Sequence, residues 1–236
     1  MTSNEPPPSE VPRGTVSNAV TAAAAASGEF WLFGYGSLIF LPPPHYDHRI
    51  PGWVKGYVRR FWQAHTPSVA LRCSEDHRGT TKAPGRVVTL MERSFWENLA
   101  DEHDFAADKV WGVAYHIPAQ HVEAVKKYLD IREINGYTIH YTQFEPADGA
   151  APFSTMVYIG TPSNPQFVGP QDVQALAEHI FRSKGDSGTN KEYLWSLEKA
   201  LNELSPDSRD DHVTDLSNRV RVVAERWQQQ QQQQQQ

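Results

Sequence analysis

The sequence predicts a single α+β domain, a curved or barrel-like mixed β-sheet with flanking helices. Three observations carry that reading. Segments rich in β-branched and aromatic residues, bordered by Gly or Pro, fill much of the first 160 residues. Helix-period apolar patterns take over after about residue 170. The length of 236 residues suffices for one full hydrophobic core and does not call for a second domain.

Taken in order, Phe30 to Gly34, Trp53 to Gln63 and Arg86 to Met91 read as strands. Ser94 to His103 reads as a short helix capped by Ser94, with Glu97 at the third position. A strand from Val110 to Ile117 follows. Pro118 then suits the first turn of a helix whose apolar face is Val122, Val125 and Leu129, with Asn135-Gly136 as its stop. Tyr137 to Phe144 alternates apolar and polar residues, as a half-buried strand does, and Phe153 to Gly160 is a second strand after a Pro-, Asp- and Gly-bearing connection. Helices are expected over Asp172 to Ser183, Lys191 to Leu204 and Asp210 to Trp227, punctuated by Gly185 and Pro206. No internal repeat is visible. Residues 1–28, rich in Pro, Ser, Glu and Ala, and the glutamine tract 228–236 read as unstructured tails around a domain at 29–227.

Composition removes several classes of function. A formal charge of −6 offers no electrostatic footprint for nucleic acid, and the dense basic pair Arg59-Arg60 sits inside an aromatic strand. Those two arginines should face opposite ways, with a structural pairing for at least one of them. One cysteine, Cys73, allows neither an intramolecular disulfide nor a multi-cysteine zinc site. No apolar run is long enough to span a membrane, and the N-terminus carries no basic region followed by a long apolar one. The expectation is a cytoplasmic protein, with the nucleus as a second compartment it suits.

The most informative stretch is Phe33-Gly34-Tyr35-Gly36-Ser37-Leu38, where two glycines alternate with a tyrosine and a serine directly after an apolar strand. Glycine lacks a Cβ, so a ligand can approach the backbone closely and positive φ values cost little. Such a loop can offer backbone N–H groups to carboxylate or carbonyl oxygens. It is neither a phosphate loop nor a dinucleotide fingerprint, and Ser37 lacks the flanking glycines of a nucleophile elbow.

The second feature is Tyr128 to Tyr137, which places Glu133 at the C-terminal end of the amphipathic helix. The carbonyl end of a helix disfavours an anion, and burial beside aromatic strands would raise its pKa towards the range useful to a proton acceptor. A surface ion pair with Arg132 or a lysine of the same helix is the plainer alternative.

Together these features resemble the ChaC-type γ-glutamylcyclotransferases. The likeness runs through Trp31 to Ile39, Arg59 to Gln63, Asp76 to Gly79, Pro84 to Leu90, Trp111 to Tyr115, Tyr128 to Glu133, Tyr158 to Gly160 and Glu192 to Leu194. Members of that family cleave glutathione to 5-oxoproline and cysteinylglycine, so the resemblance implies glutathione as the substrate, with no metal and no cofactor. It also implies that Phe33, Gly34, Tyr35, Gly36, Ser37 and Leu38 bind the substrate and that Glu133 is the catalytic proton acceptor. In supporting roles, Tyr158 can donate its hydroxyl to the substrate, against the plain reading of an ordinary strand tyrosine. Arg78 can pair with the glycine carboxylate, since a guanidinium matches carboxylate geometry, against the reading of a solvated loop arginine.

The chain departs from the family pattern in extra sequence near Pro67 to Cys73 and Arg93 to Asp108, and in Asp186 where a proline is usual. Ala124 stands where some members have a second helix glutamate. Rival readings are a metal site around His45, Asp47 and His48, which lacks an established ligand spacing, and a thiol nucleophile at Cys73 with His77. A non-catalytic small-acid-binding module and a cyclotransferase acting on other γ-glutamyl amines or amino acids are the remaining alternatives.

Overall fold

The structure, a computed structural model, describes residues 29–65, 78–80, 83–104, 106–132, 137–185 and 188–235. Five strands close a barrel in the order β1 (Phe30–Gly34), β5 (Lys109–Ile117), β2 (His48–Lys55), β6 (Thr138–Pro146) and β7 (Phe153–Ile159). All neighbours run antiparallel except β1 and β7, whose parallel contact through Leu32 and Met156 completes the ring. A two-stranded ribbon of β3 (Tyr57–His65) and β4 (Gly85–Glu92) stands beside it. The helical part consists of α1 (Arg93–Trp96), α2 (Val122–Arg132), α3 (Val173–Arg182), α4 (Asn190–Leu204) and α5 (Asp211–Gln234), with a small hairpin of β8 (Lys184–Gly185) and β9 (Gly188–Thr189) before α4. Among the described residues no helix is long and apolar enough to cross a membrane.

The sheet is mixed and closed, as the order of strands and helices suggested, and a single core joins barrel to helices. Leu32, Val54, Val113, Ile117, Phe144 and Val157 from the strands and Val125, Leu129, Leu176, Ile180, Leu197 and Val220 from the helices are buried in one cluster. Val125 and Leu129, the face expected of the helix after Pro118, are fully buried. Two of these helices are capped by aspartates: Asp172 accepts from the Ala175 N–H at 2.6 Å and Asp210 from the Val213 N–H at 3.1 Å.

Three expectations are corrected. The stretch from Trp53 to Gln63 is not one strand: Gly56, with φ +81°, turns the chain between β2 in the barrel and β3 in the ribbon. The expected helix from Ser94 to His103 shrinks to Arg93–Trp96 with no side-chain cap. Beyond it the chain instead delivers Asp101 to two buried donors, Arg60 Nε at 2.6 Å and Trp96 Nε1 at 2.8 Å. Satisfying a buried guanidinium outweighs two turns of helix, because an unpaired buried charge costs several kcal/mol. Finally, α5 runs on through the glutamine tract to Gln234, where an unstructured tail was expected. Glutamine is a good helix former, and a helix already anchored by Val213, Leu216 and Val220 extends without a new nucleation step. The Asn135-Gly136 stop lies outside the described residues.

Both arginines of the aromatic strand are structural and diverge as strand alternation requires. Arg59 reaches Asp210 at 3.1 Å and the Trp111 carbonyl, while Arg60 binds Asp101 and the His103 carbonyl. Beside them a hydrogen-bonded chain ties β3 to α5. The Phe61 N–H donates to His212 Nε2 at 3.1 Å, so His212 Nδ1 carries the proton and donates to His103 Nδ1 at 3.0 Å; His103 Nε2 then donates to Asp215 at 2.9 Å.

Burial, followed by the charges of Arg60, His103 and Arg59, holds His212 well below the ordinary histidine pKa. Its folded pKa therefore lies under its unfolded value near 6.5, so the unfolded chain binds the extra proton as pH falls below about 6.5. Stability is fully present above that pH and is lost below it, by at most about 1.4 kcal/mol per pH unit from this group. Urea unfolding at pH 7 and pH 5 should show the loss, and His212→Gln should flatten the slope. An unchanged slope in the variant refutes the assignment.

Candidate active site

Strand β1 ends at Gly34, and the chain then winds one 3₁₀ turn over Ser37–Ile39 in which Ile39 N–H bonds the Gly36 carbonyl at 3.0 Å. The N–H groups of Ser37 and Leu38 head this turn and have no acceptor within it. Neither Gly34 nor Gly36 has a positive φ, which corrects one reason given above for their being glycine. Space is the reason. A Cβ on Gly34 would stand 2.7 Å from Leu38 Cβ, and one on Gly36 would stand 2.9 Å from Val88 Cγ2 and 3.2 Å from the Tyr193 hydroxyl.

Three side chains fix this loop. Tyr35 donates its hydroxyl to the Tyr158 carbonyl at 2.8 Å and Tyr115 donates to the Leu38 carbonyl at 2.7 Å. Burial pushes the Tyr115 hydroxyl above its usual pKa, so it remains a protonated donor. From the last turn of α2, Arg132 Nη2 donates to Ser37 Oγ at 2.7 Å and Nη1 to the Leu41 carbonyl at 3.1 Å. Tyr158 in turn donates to Asp130 at 3.1 Å. The end of α2 is thereby bonded both to the loop and to β7. In this arrangement the Tyr158 proton is directed to Asp130.

A cleft of about 520 Å³, part of it open to solvent, lies where these elements meet. It is lined by Phe33, Tyr35, Gly36, Ser37, Leu38 and Tyr158, together with Val87 and Val88 of β4, Arg132, Tyr137 and Tyr193. The size suits a small molecule, and hydroxyls and a guanidinium converging on an otherwise apolar wall are what a site for an oxygen-rich ligand needs.

Of the residues expected at the site, six line this cleft. Gly34 supports the loop from behind without lining it. Arg78 is buried and is not among the lining residues; it stands beside the β8–β9 hairpin, where a Cβ on Gly188 would come 3.0 Å from its Nη1. The Thr189 N–H, and to a lesser degree the Arg78 charge, hold the nearby Glu192 carboxylate below its ordinary pKa. Glu133 follows Arg132 directly in the chain and lies outside the described residues, as do Cys73 and His77. Arg132, Tyr137 and Tyr193 received no role from the sequence. Each stands within or next to a segment carrying the family resemblance, and that was the only signal available for them.

A family model described as ChaC-like protein matches residues 30–223. The glutathione-specific gamma-glutamylcyclotransferase of Schizosaccharomyces pombe is 44% identical over 198 residues, covering 82% of this chain and 93% of that protein. Human glutathione-specific gamma-glutamylcyclotransferase 1 is 36% identical over 196 residues, covering 82% and 79%. Among solved structures, the selenomethionine-labelled gamma-glutamyl cyclotransferase specific to glutathione from yeast superposes with a TM-score of 0.70 at 35% identity, over 82% of this chain and 96% of that one. Because the family match spans the whole barrel and every residue lining the cleft, the chain belongs to the ChaC-like protein family.

Proposed function

We propose that this chain cleaves glutathione by cyclising its γ-glutamyl group, releasing 5-oxoproline and cysteinylglycine. The α-amino group of the γ-glutamyl residue attacks its own γ-carbonyl, a new C–N bond closes a five-membered lactam, and the original γ-amide C–N bond breaks. The substrate supplies the nucleophile. The protein must hold the reactive conformer, take a proton from the ammonium, stabilise the oxyanion and return a proton to the departing nitrogen. We assign both proton transfers to Glu133.

The observation that carries this reading is the loop fastened to the end of α2. Arg132, in the last turn of α2, bonds Ser37 and Leu41, so the end of that helix and the loop we assign to the substrate are tied together. Because Ser37 Oγ accepts from Arg132, its own O–H is available to a carboxylate or carbonyl oxygen in the cleft. The N–H groups of the Tyr35 to Leu38 stretch supply further donors, and Tyr158 lines the same cleft. Ser37 is a holding group in this scheme. Arg78, outside the cleft lining, we assign to steadying the hairpin that precedes α4.

Incubation of the purified protein with glutathione and, separately, with γ-glutamyl-alanine tests the reading by the appearance of 5-oxoproline. Release from glutathione with little from the second substrate is expected. Release only from γ-glutamyl-alanine would move the substrate class to other γ-glutamyl compounds, and release from neither would leave a binding module.

A further inference from the structure

The surface pair Asp47-His48 gains a partner that no spacing in the sequence reveals. In the antiparallel ladder of β2 and β5, His48 and His116 are direct cross-strand partners, and the Asp47 N–H bonds the His116 carbonyl at 3.1 Å. Residues opposite each other in such a ladder project from the same face of the sheet. Asp47 Oδ1 receives His116 Nδ1 at 2.6 Å and His48 Nδ1 at 2.9 Å, and the three atoms lie within 4.8 Å of one another. The Trp31 ring, 5.0 Å from the His116 ring, steadies one imidazole from the side. None of the three residues lines the cleft.

We propose that Asp47, His48 and His116 form a binding site for a divalent transition-metal ion of the Zn²⁺ class. Two imidazole nitrogens and one carboxylate oxygen suit Zn²⁺, Co²⁺ or Ni²⁺ in preference to Mg²⁺ or Ca²⁺, which take all-oxygen sets. Around a tetrahedral Zn²⁺ with bonds of about 2.0–2.1 Å, neighbouring ligand atoms stand roughly 3.4 Å apart. The Nδ1 to Oδ1 separations of 2.6 and 2.9 Å therefore need to open by less than about 1 Å on each side. The ion replaces the two N–H···O bonds: each neutral imidazole moves its proton to Nε2 and presents the Nδ1 lone pair. Asp47 carries the compensating charge. Arg49, the next residue along β2, bonds Tyr115 on the other face of the sheet and so does not compete at this one. With exposures of 69%, 43% and 20% for His48, Asp47 and His116, the fourth position is open to water. The site is separate from the cyclisation and has no part in it.

The test is calorimetric titration of the metal-free full-length protein with Zn²⁺, without glutathione, whose thiol would compete for the ion. One saturable site is expected, weakened at least about tenfold by His48→Ala, by His116→Ala and by Asp47→Asn. His121→Ala, which removes a histidine stacked on His45 outside the trio, should leave it unchanged. Thermal melts establish that each variant is folded, and exposed His48 serves if His116→Ala is not. Absence of saturable binding overturns the proposal, as does equal affinity in the His48 and Asp47 variants, which would place the ion on other side chains.

Discussion

Glu133→Gln is expected to fold normally and bind glutathione while losing about two to four orders of magnitude in turnover, the usual scale for removing a general acid–base group. The two side chains have nearly the same shape, so little packing changes, but an amide cannot accept a proton. At neutral pH the substrate's α-amine is an ammonium without a lone pair, and the lactam cannot close until a base removes its proton. In the proposed scheme the same carboxyl, once protonated, is the donor for the departing amine, so one substitution would remove both transfers. Turnover measured as 5-oxoproline release under saturating glutathione, with a circular-dichroism melt as the control for folding, decides the matter. Turnover within tenfold of the parent, with an intact melt, would sink the assignment.

Gly112→Ala is expected to destabilise the protein by about 1–3 kcal/mol, enough to lower the melting midpoint by roughly 2–12 °C in a chain of this size. Gly112 pairs with Gly52 in the β2–β5 ladder, where two side chains would otherwise face each other. A Cβ at 112 would run into the Gly34 carbonyl and would stand 2.6 Å and 2.7 Å from two carbons of the Phe33 ring. The first obstacle is backbone and cannot turn aside. Relief requires β1 to shift against β5, which also moves Phe33 and the base of the cleft loop, so turnover should fall with stability. If Gly112→Ala melts within about 1 °C of the parent, the close approach of β1 and β5 is wrong. Gly52→Ala offers a comparison, since its Cβ would meet the Glu145 carbonyl and the Phe144 ring on the opposite side of β2.

Much of the architecture could be read directly from residue patterns. The alternation from Tyr137 to Phe144 gave β6, and the spacing of Val122, Val125 and Leu129 gave α2, because a side chain's period along the chain reports the face it must bury. Failures came where a tertiary partner outbid the local pattern. Trp53 to Gln63 is rich in aromatic and β-branched residues on both sides of Gly56, whose positive φ marks the division between two sheets. Ser94 and Glu97 spell a capping box, yet Asp101 is drawn to Arg60 from the adjoining ribbon and the helix stops at Trp96. The glutamine tract is low in complexity but high in helix propensity, and the packed turns before it settle its state.

At the site, the sequence by itself pointed to the loop from Phe33 to Leu38 and to Glu133 and, through their joint resemblance to a family, to the chemistry proposed for them. These are contiguous motifs, and contiguous spacing survives without coordinates. Only the tertiary structure decided that Arg132 clasps Ser37, that Tyr193 of α4 closes over Gly36, that Arg78 comes up against Gly188, and that His116 meets Asp47 and His48 across a ladder. The physical reason is common to all four. A contact between residues 68 to 157 positions apart depends on strand register and helix docking, which are fixed by burial of the whole core, while the residues that make the contact leave no periodic trace in the chain.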